Sequence, residues 1–390
     1  YLLPISLFCS FSPFQTPSPP RSILPPFRPQ QLTSQYLSEG AAIADLDQDK
    51  TLDLICGPYW WKGPKLTQRF KIYPPKSFQK NVYADSFAVY PWDLNGDRFP
   101  DLLVIGFPGS PIVWYENPGR PGPFWKKHAL WPSGGMETAL LTDLDGDGRP
   151  ELLCSTFGYL LILRPFPGKP HQSWIGSLVS SLQAFNNFSH GLGVGDINGD
   201  GRKDILVSKG WFEQPNKLKG TWVPHLANFG KGQGGARMFS FDVDGDGDAD
   251  VVTSLNAHGY GLSWFEQFKQ AGQLRFREHV IQRAVPDPSD PDQFSQIHAL
   301  QVADMDGDGL LDLIAGKTYW AHLGRDPGAK DPALLYWFRL QRKGGIRFVP
   351  HRIHGNSGVG RMFQVGDLNG DGKPDLAIGN KKGVFAFWGQ

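Results

Sequence analysis

The sequence predicts an all-β fold, a seven-bladed β-propeller, and three observations carry that expectation. An acidic nine-residue window recurs seven times along the 390 residues. Successive windows start 46 to 63 residues apart, the length of a four-stranded blade rather than of a helical repeat. The segments flanking each window, such as RMFQVG and LAIG around the last, are short, rich in β-branched residues and punctuated by glycine, which reads as strand, turn, strand.

Each window alternates oxygen-bearing side chains. In chain order these are Asp45, Asp47, Asp49 and Asp53; Asp93, Asn95, Asp97 and Asp101; Asp143, Asp145, Asp147 and Glu151; Asp196, Asn198, Asp200 and Asp204; Asp242, Asp244, Asp246 and Asp250; Asp304, Asp306, Asp308 and Asp312; Asp367, Asn369, Asp371 and Asp375. Oxygens at positions one, three, five and nine around a glycine at position six can wrap one hard cation, and calcium takes about six to eight such ligands. Lys50 and Arg98 replace that glycine in the first two windows, and Glu151 replaces the closing aspartate in the third. Glycine permits a backbone angle that lysine and arginine adopt at a cost. Those two loops are therefore expected either to bind weakly or to be held empty by internal hydrogen bonds.

The pattern D-x-[DN]-x-D-G-x-x-D between two strands resembles the FG-GAP or VCBS propeller repeat, over nearly everything after residue 27. The resemblance implies structural calcium in a hairpin between the first and second strands of each blade. More faintly, the histidine-bearing segments SHGLGVGD and QIHALQVAD and the turn GPYWW resemble the propeller of aldos-2-ulose dehydratase-type carbohydrate lyases.

After the seventh window, LAIGNKKGVFAFWGQ has room for two further strands. The missing fourth is expected from the other end, Phe27 to Thr33, which would close the ring and remove an open sheet edge. Residues 27–390 are thus read as one propeller. Residues 1–26 read as the remnant of a signal peptide and a Pro/Ser-rich leader, with a cleavage site at Ser10-Phe11-Ser12. No later run is apolar and long enough to span a bilayer, so a secreted or periplasmic protein is expected. Of three cysteines, Cys9 lies in the leader, and Cys56 and Cys154 are expected to be small buried apolar residues.

Charge sharpens the picture once it is divided. The formal net charge is +1, yet the seven windows hold 26 of the 38 acidic residues. Seven divalent ions would take the formal charge from +1 to +15, leaving a basic body suited to anionic ligands such as acidic saccharides. No basic helix, RNP-like strand or zinc finger points to nucleic acid.

Strands of a propeller alternate in direction, so function is expected on the face opposite the windows. Six residues back from each window, about 20 Å along a strand, lie Glu39, Phe87, Glu137, His190, Ala236, His298 and Arg361. The shared string RMF makes Arg237 the counterpart of Arg361. Connections between second and third strands add His258, His322, Lys209, Lys317, Tyr59, Trp60 and Trp61, with His354 nearby; Trp211 and Trp320 are further candidates for substrate contact. Histidine and glutamate can hold a transition metal or exchange protons, arginine clamps carboxylates, and aromatic faces stack on sugars. Two readings stand. One is a non-catalytic adhesion or lectin-like module. The other is a metal-assisted carbohydrate lyase or dehydratase, with a divalent metal on some of His190, His258 and His298 with Glu137 or Glu39, and with Arg237 and Arg361 holding an anion. Hydrolysis by Glu39 paired with Glu137 is a variant of the second.

Overall fold

The structure is a computed structural model that describes residues 27–120, 122, 124–180, 185 and 188–390. The leader, with Cys9 and the cleavage site expected there, lies outside the described residues. The described chain is all-β, with seven four-stranded antiparallel sheets and a single short 3-10 turn at Ala321–Gly324.

From the inside outwards, blade one holds β2 (Ala41–Ala44), β3 (Asp53–Cys56), β4 (Tyr59–Lys62) and β5 (Gln68–Lys71). Blades two to six repeat that order. Their innermost strands are β6 (Ala88–Trp92), β10 (Leu140–Thr142), β14 (Leu192–Gly195), β18 (Phe239–Phe241) and β22 (Leu300–Ala303). In blade seven, β26 (Phe363–Gly366), β27 (Asp375–Asn380) and β28 (Gly383–Trp388) are joined by β1 (Arg28–Thr33), whose Arg28 faces Trp388.

Burial explains the strand chemistry. Second strands such as DLLVI (β7, Asp101–Ile105) and ELLCST (β11, Glu151–Thr156) are buried throughout, because a neighbouring blade covers each face. Fourth strands alternate, as in β21 (Gln273–Gln282), where one face meets solvent. The core therefore lies between blades: Trp114 of blade two, Leu153 and Ile162 of blade three and Ile205 of blade four belong to one apolar cluster. Cys56 and Cys154 are buried in this setting, and burial pushes the Cys154 thiol up to about 12.

The acidic windows form the hairpins between first and second strands. In the last, Asp367 Oδ1 accepts the amides of Gly370 and Asp371 at 2.7 and 3.1 Å, and Oδ2 accepts that of Gly372 at 2.8 Å. The sixth position has a positive φ in every window, including +71° at Lys50 and +79° at Arg98. The ninth-position carboxylates do more than close a loop. Asp375 Oδ2 accepts the Leu368 amide and its Oδ1 the Gly389 amide, at 2.9 and 2.8 Å. Asp53, Asp101, Asp204, Asp250 and Asp312 make the same pair of bonds, tying each hairpin to its third strand.

Candidate functional site

The seven residues that lead into the innermost strands, Glu39, Phe87, Glu137, His190, Ala236, His298 and Arg361, are all buried around the axis. Main-chain bonds hand each blade to the next: Glu39 N to Ser86 O at 2.9 Å, Glu137 N to Ser189 O at 3.2 Å, His190 N to Gln233 O at 2.9 Å and Arg361 N to Glu39 O at 2.5 Å. The last contact depends on Gly360, where an added Cβ would lie 2.0 Å from the Glu39 carbonyl oxygen. A rigid belt of backbone thus fixes where these side chains start.

Three imidazoles from adjacent blades converge. His190 leads into β14, His258 sits between β19 (Asp250–Ser254) and β20 (Leu262–Gln270), and His298 leads into β22. One ring nitrogen from each lies within 4.8 Å of the others, and His190 Nε2 is 3.0 Å from His258 Nε2. His298 Nδ1 faces the Gln296 carbonyl at 3.1 Å and His258 Nδ1 faces Asp326 Oδ2 at 3.1 Å. Both partners only accept, so in the neutral rings these Nδ1 atoms carry the protons, which leaves the His258 Nε2 lone pair facing His190 Nε2 and the His298 Nε2 lone pair open. His298 Nε2 is buried without a partner. Burial, with help from Arg361, holds His190 well below the ordinary histidine range, in its neutral form.

The opposite wall is ionic. Arg361 Nη1 lies 2.9 Å from Glu137 Oε2 with both side chains buried, although the pair is not aligned as a directed hydrogen bond. Lys381 Nζ is 3.7 Å from Glu39 Oε1 and sits 4.3 Å from the centre of the Tyr83 ring. Glu39 Oε1 also accepts the Tyr36 hydroxyl at 2.5 Å. Burial pushes the Glu137 carboxyl up, against the pull of Arg361, and pushes the Lys381 ammonium down. Burial also lowers Lys317 to about 8; its Nζ is held by Ser295 Oγ at 3.2 Å and by the Gly328 carbonyl.

Several expected residues fall elsewhere. Tyr59, Trp60 and Trp61 are buried in β4, because the hairpin turn is only Gly57-Pro58 and the aromatics fall inside the strand. Trp60 stacks on Phe70 at 4.5 Å, as a packing residue. His354 ends β25 (Arg347–His354), with its ring against Phe387 and away from the imidazole cluster. Trp211 is buried in β16 (Gly210–Glu213), stacked on His225, yet with His190 and Lys209 it lines a cavity of about 300 Å³ beside the cluster. Arg237 lines the axial channel with Glu137 and Arg361, its guanidinium 5.1 Å from the Phe239 ring. His322 stacks on His258 at 4.2 Å and shares Asp326 with it at 3.0 Å. Trp320 lies on the funnel face, where its Nε1 donates to Asn81.

Four contributors had no place in the sequence reading: Asp326, Lys381, Tyr36 and Tyr83. Lys381 lies in the β27–β28 turn, the same kind of connection that supplies His258, so a search of every such turn for ionisable residues finds it. Asp326 lies in a long insertion and has no repeat register.

The residues present also fit calcium in the windows, unevenly. Carboxylate oxygens of Asp143, Asp145 and Glu151 gather within 4.8 Å. In the first window, however, the Lys62 ammonium already pairs with Asp47 and lies 2.7 Å from Asp49. In the sixth, Arg339 reaches Asp306 at 2.6 Å and Asp308 at 3.0 Å.

The FG-GAP-like repeat family matches residues 93–154 and 242–315, and the FG-GAP repeat family matches residues 360–384. No curated protein matches the chain. Among solved structures, an Agrocybe aegerita lectin described as recognising non-reducing terminal N-acetylglucosamine is 17% identical, with a TM-score of 0.49 over 91% of this chain and 85% of that one. The exotype rhamnogalacturonan lyase YesX is 13% identical, with a TM-score of 0.49 over 95% and 75% of the two chains. The V. cholerae biofilm matrix protein Bap1 is 11% identical, with a TM-score of 0.43 over 91% and 88%. The family matches fall on blades two, three, five, six and seven, so the chain is a seven-bladed β-propeller that carries FG-GAP-like repeats in those blades.

Proposed function

We propose that the axial funnel binds a saccharide bearing an oxidised or anionic group beside a divalent transition metal held by His190, His258 and His298, and that the chain is a carbohydrate lyase or dehydratase. The observation that carries this reading is the convergence of the three imidazoles, two of them oriented through Nδ1 by a carbonyl and a carboxylate in the manner of metal-ligating histidines. A divalent ion there would supply a Lewis acid for a sugar carbonyl or carboxylate.

The chain's own residues account for the rest of the chemistry. Arg361 and Lys381 place fixed positive charge where an anionic substrate group would sit. Glu137, whose carboxyl is raised by burial against the pull of Arg361, is placed to take and return a proton. Tyr83 and Trp320 offer aromatic faces at the mouth. Calcium in the windows would hold the opposite face, and an exported location follows from the abundance of that ion outside the cytoplasm. No helix among the described residues is long and apolar enough to cross a membrane.

Metal analysis of the purified protein, with anomalous scattering to place the ion, tests the reading directly. A transition metal at the three histidines, lost in His190→Ala/His298→Ala together with saccharide binding, is the expected result. Saccharide binding that survives the double substitution defeats the funnel assignment. Binding that requires the histidines but no transition metal leaves the non-catalytic lectin-like module in its place.

A further inference from the structure

A second cluster of metal-ligating side chains lies on the outer rim, away from the funnel. Glu116 ends β8 (Ile112–Glu116) and His128 lies in β9 (Lys126–Trp131), the third and fourth strands of blade two. His171 comes from blade three, from the hairpin between β12 (Tyr159–Arg164) and β13 (Ile175–Leu178). His128 Nε2 is 2.7 Å and His171 Nε2 3.4 Å from the same oxygen, Glu116 Oε2. One ligand atom from each of the three lies within 4.8 Å of the others.

Part of this arrangement belongs to the repeat. Blades four and five carry the same trio of tryptophan, glutamate and histidine: Trp211 stacks on His225, which meets Glu213 at 2.9 Å, and Trp264 stacks on His279, which meets Glu266 at 2.6 Å. The glutamate-histidine pair is therefore a device for joining the two outer strands. Blade two departs from it. In blade five the additional partner of the glutamate is Arg277, a cation at 3.1 Å, whereas in blade two it is a second imidazole, brought across the gap between blades.

That imidazole is presented by a stiff support. The hairpin carries Pro165, Pro167 and Pro170, and two turn bonds brace it, Lys169 N to Phe166 O at 3.0 Å and Gln172 N to Lys169 O at 3.1 Å. Trp114 backs both rings, at 4.3 Å from His128 and 5.6 Å from His171. Proline lowers the freedom the hairpin would otherwise lose on ordering. The His171 side chain is 48% exposed, so an ion has access from solvent.

We propose that Glu116, His128 and His171 form a second metal site, a two-histidine, one-carboxylate clip for a divalent transition ion that joins blades two and three. Two nitrogens and one carboxylate oxygen suit zinc, copper, nickel or cobalt, whereas calcium takes oxygen ligands. With metal-nitrogen bonds of roughly 2.0–2.1 Å, neighbouring ligands stand about 3 Å apart, so these three need shift little to enclose an ion. Solvent completes the shell on the exposed side.

Cobalt(II) titration of chelator-treated, calcium-repleted protein reads the site. His171→Ala, at an exposed position, is expected to take up one equivalent fewer than the wild type. His298→Ala is expected to lose a different equivalent, from the funnel, so the failure of one assignment is distinguishable from the failure of the other. In a Cys9→Ser background, His171→Cys supplies a second measurement: a thiolate-to-cobalt absorption band absent from the parent, whose remaining Cys56 and Cys154 are buried. Equal cobalt uptake by the wild type and His171→Ala, or no new band in His171→Cys, overturns the proposal.

Discussion

Arg361 of blade seven and Glu137 of blade three meet across the channel at 2.9 Å, both side chains almost wholly removed from solvent. They come from blades that are not neighbours, so the contact spans the axis rather than an interblade seam. Its value to the fold is a balance, because the desolvation of two charges offsets much of their attraction. Breaking one partner alone is a different matter.

Arg361→Met is accordingly expected to cost about 3–5 kcal/mol by leaving the Glu137 charge buried without a counterion. Arg361→Met/Glu137→Gln should recover most of that loss, since neither charge then remains. Denaturant unfolding of the two single variants and the double variant gives the coupling. Additive losses would show that the pair contributes no coupling of its own.

The windows carry a strain that glycine would relieve. Lys50 and Arg98 sit at φ of +71° and +79°, where the other five windows have glycine, and left-handed backbone costs an L-residue about 1–2 kcal/mol. Lys50→Gly and Arg98→Gly should each raise stability by about 1 kcal/mol despite removing a side chain, while Gly372→Ala should lower it by a similar amount. Melting curves in excess calcium separate this backbone effect from ion binding. A loss of stability in both glycine variants would mean that the side chains matter more than the angle.

Calcium content should fall short of the seven windows. The Lys62 ammonium lies among the carboxylates of the first, and the Arg339 guanidinium among those of the sixth. Lys62→Met frees Asp47 and Asp49, so it is expected to gain one calcium equivalent by elemental analysis. Chelation should lower the melting temperature of the wild type by mass action, and an unchanged melting curve would show that the windows are not structural calcium sites. Seven equivalents in the wild type would show that the two cations move aside.

What could be read in advance follows the strand as a ruler. The windows recur, the innermost strands have nearly constant length, and six residues back from each window reaches the buried ring that contains Glu39, His190 and Arg361. Connections obey no such ruler. Tyr59, Trp60 and Trp61 were expected in a loop, but a two-residue turn at Gly57-Pro58 places them in a strand. Asp326, which orients His258, comes from the insertion between β23 (Asp312–Gly316) and β24 (Leu335–Gln341). Its role depends on how that insertion folds back over the funnel, and no periodicity in the chain encodes it.

The pH dependence of stability should show the buried Lys317. Its ordinary value of 10.5 is lowered to about 8 by burial, only partly offset by Asp331 and Asp326. Between those two values the unfolded chain binds the proton and the folded chain does not, so stability rises with pH over that window. Below about pH 8 both states are protonated, and the full cost of burying the ammonium is present. Relative to Lys317→Met, which has no such proton, the wild type should gain about 3 kcal/mol between pH 8 and 10.5. Taking the difference between the two proteins cancels the tyrosines and other lysines that titrate in the same range. Urea unfolding of both at a series of pH values measures it; a difference that stays flat across the window, or that falls, would mean that the Ser295 and Gly328 oxygens hold the ammonium charged.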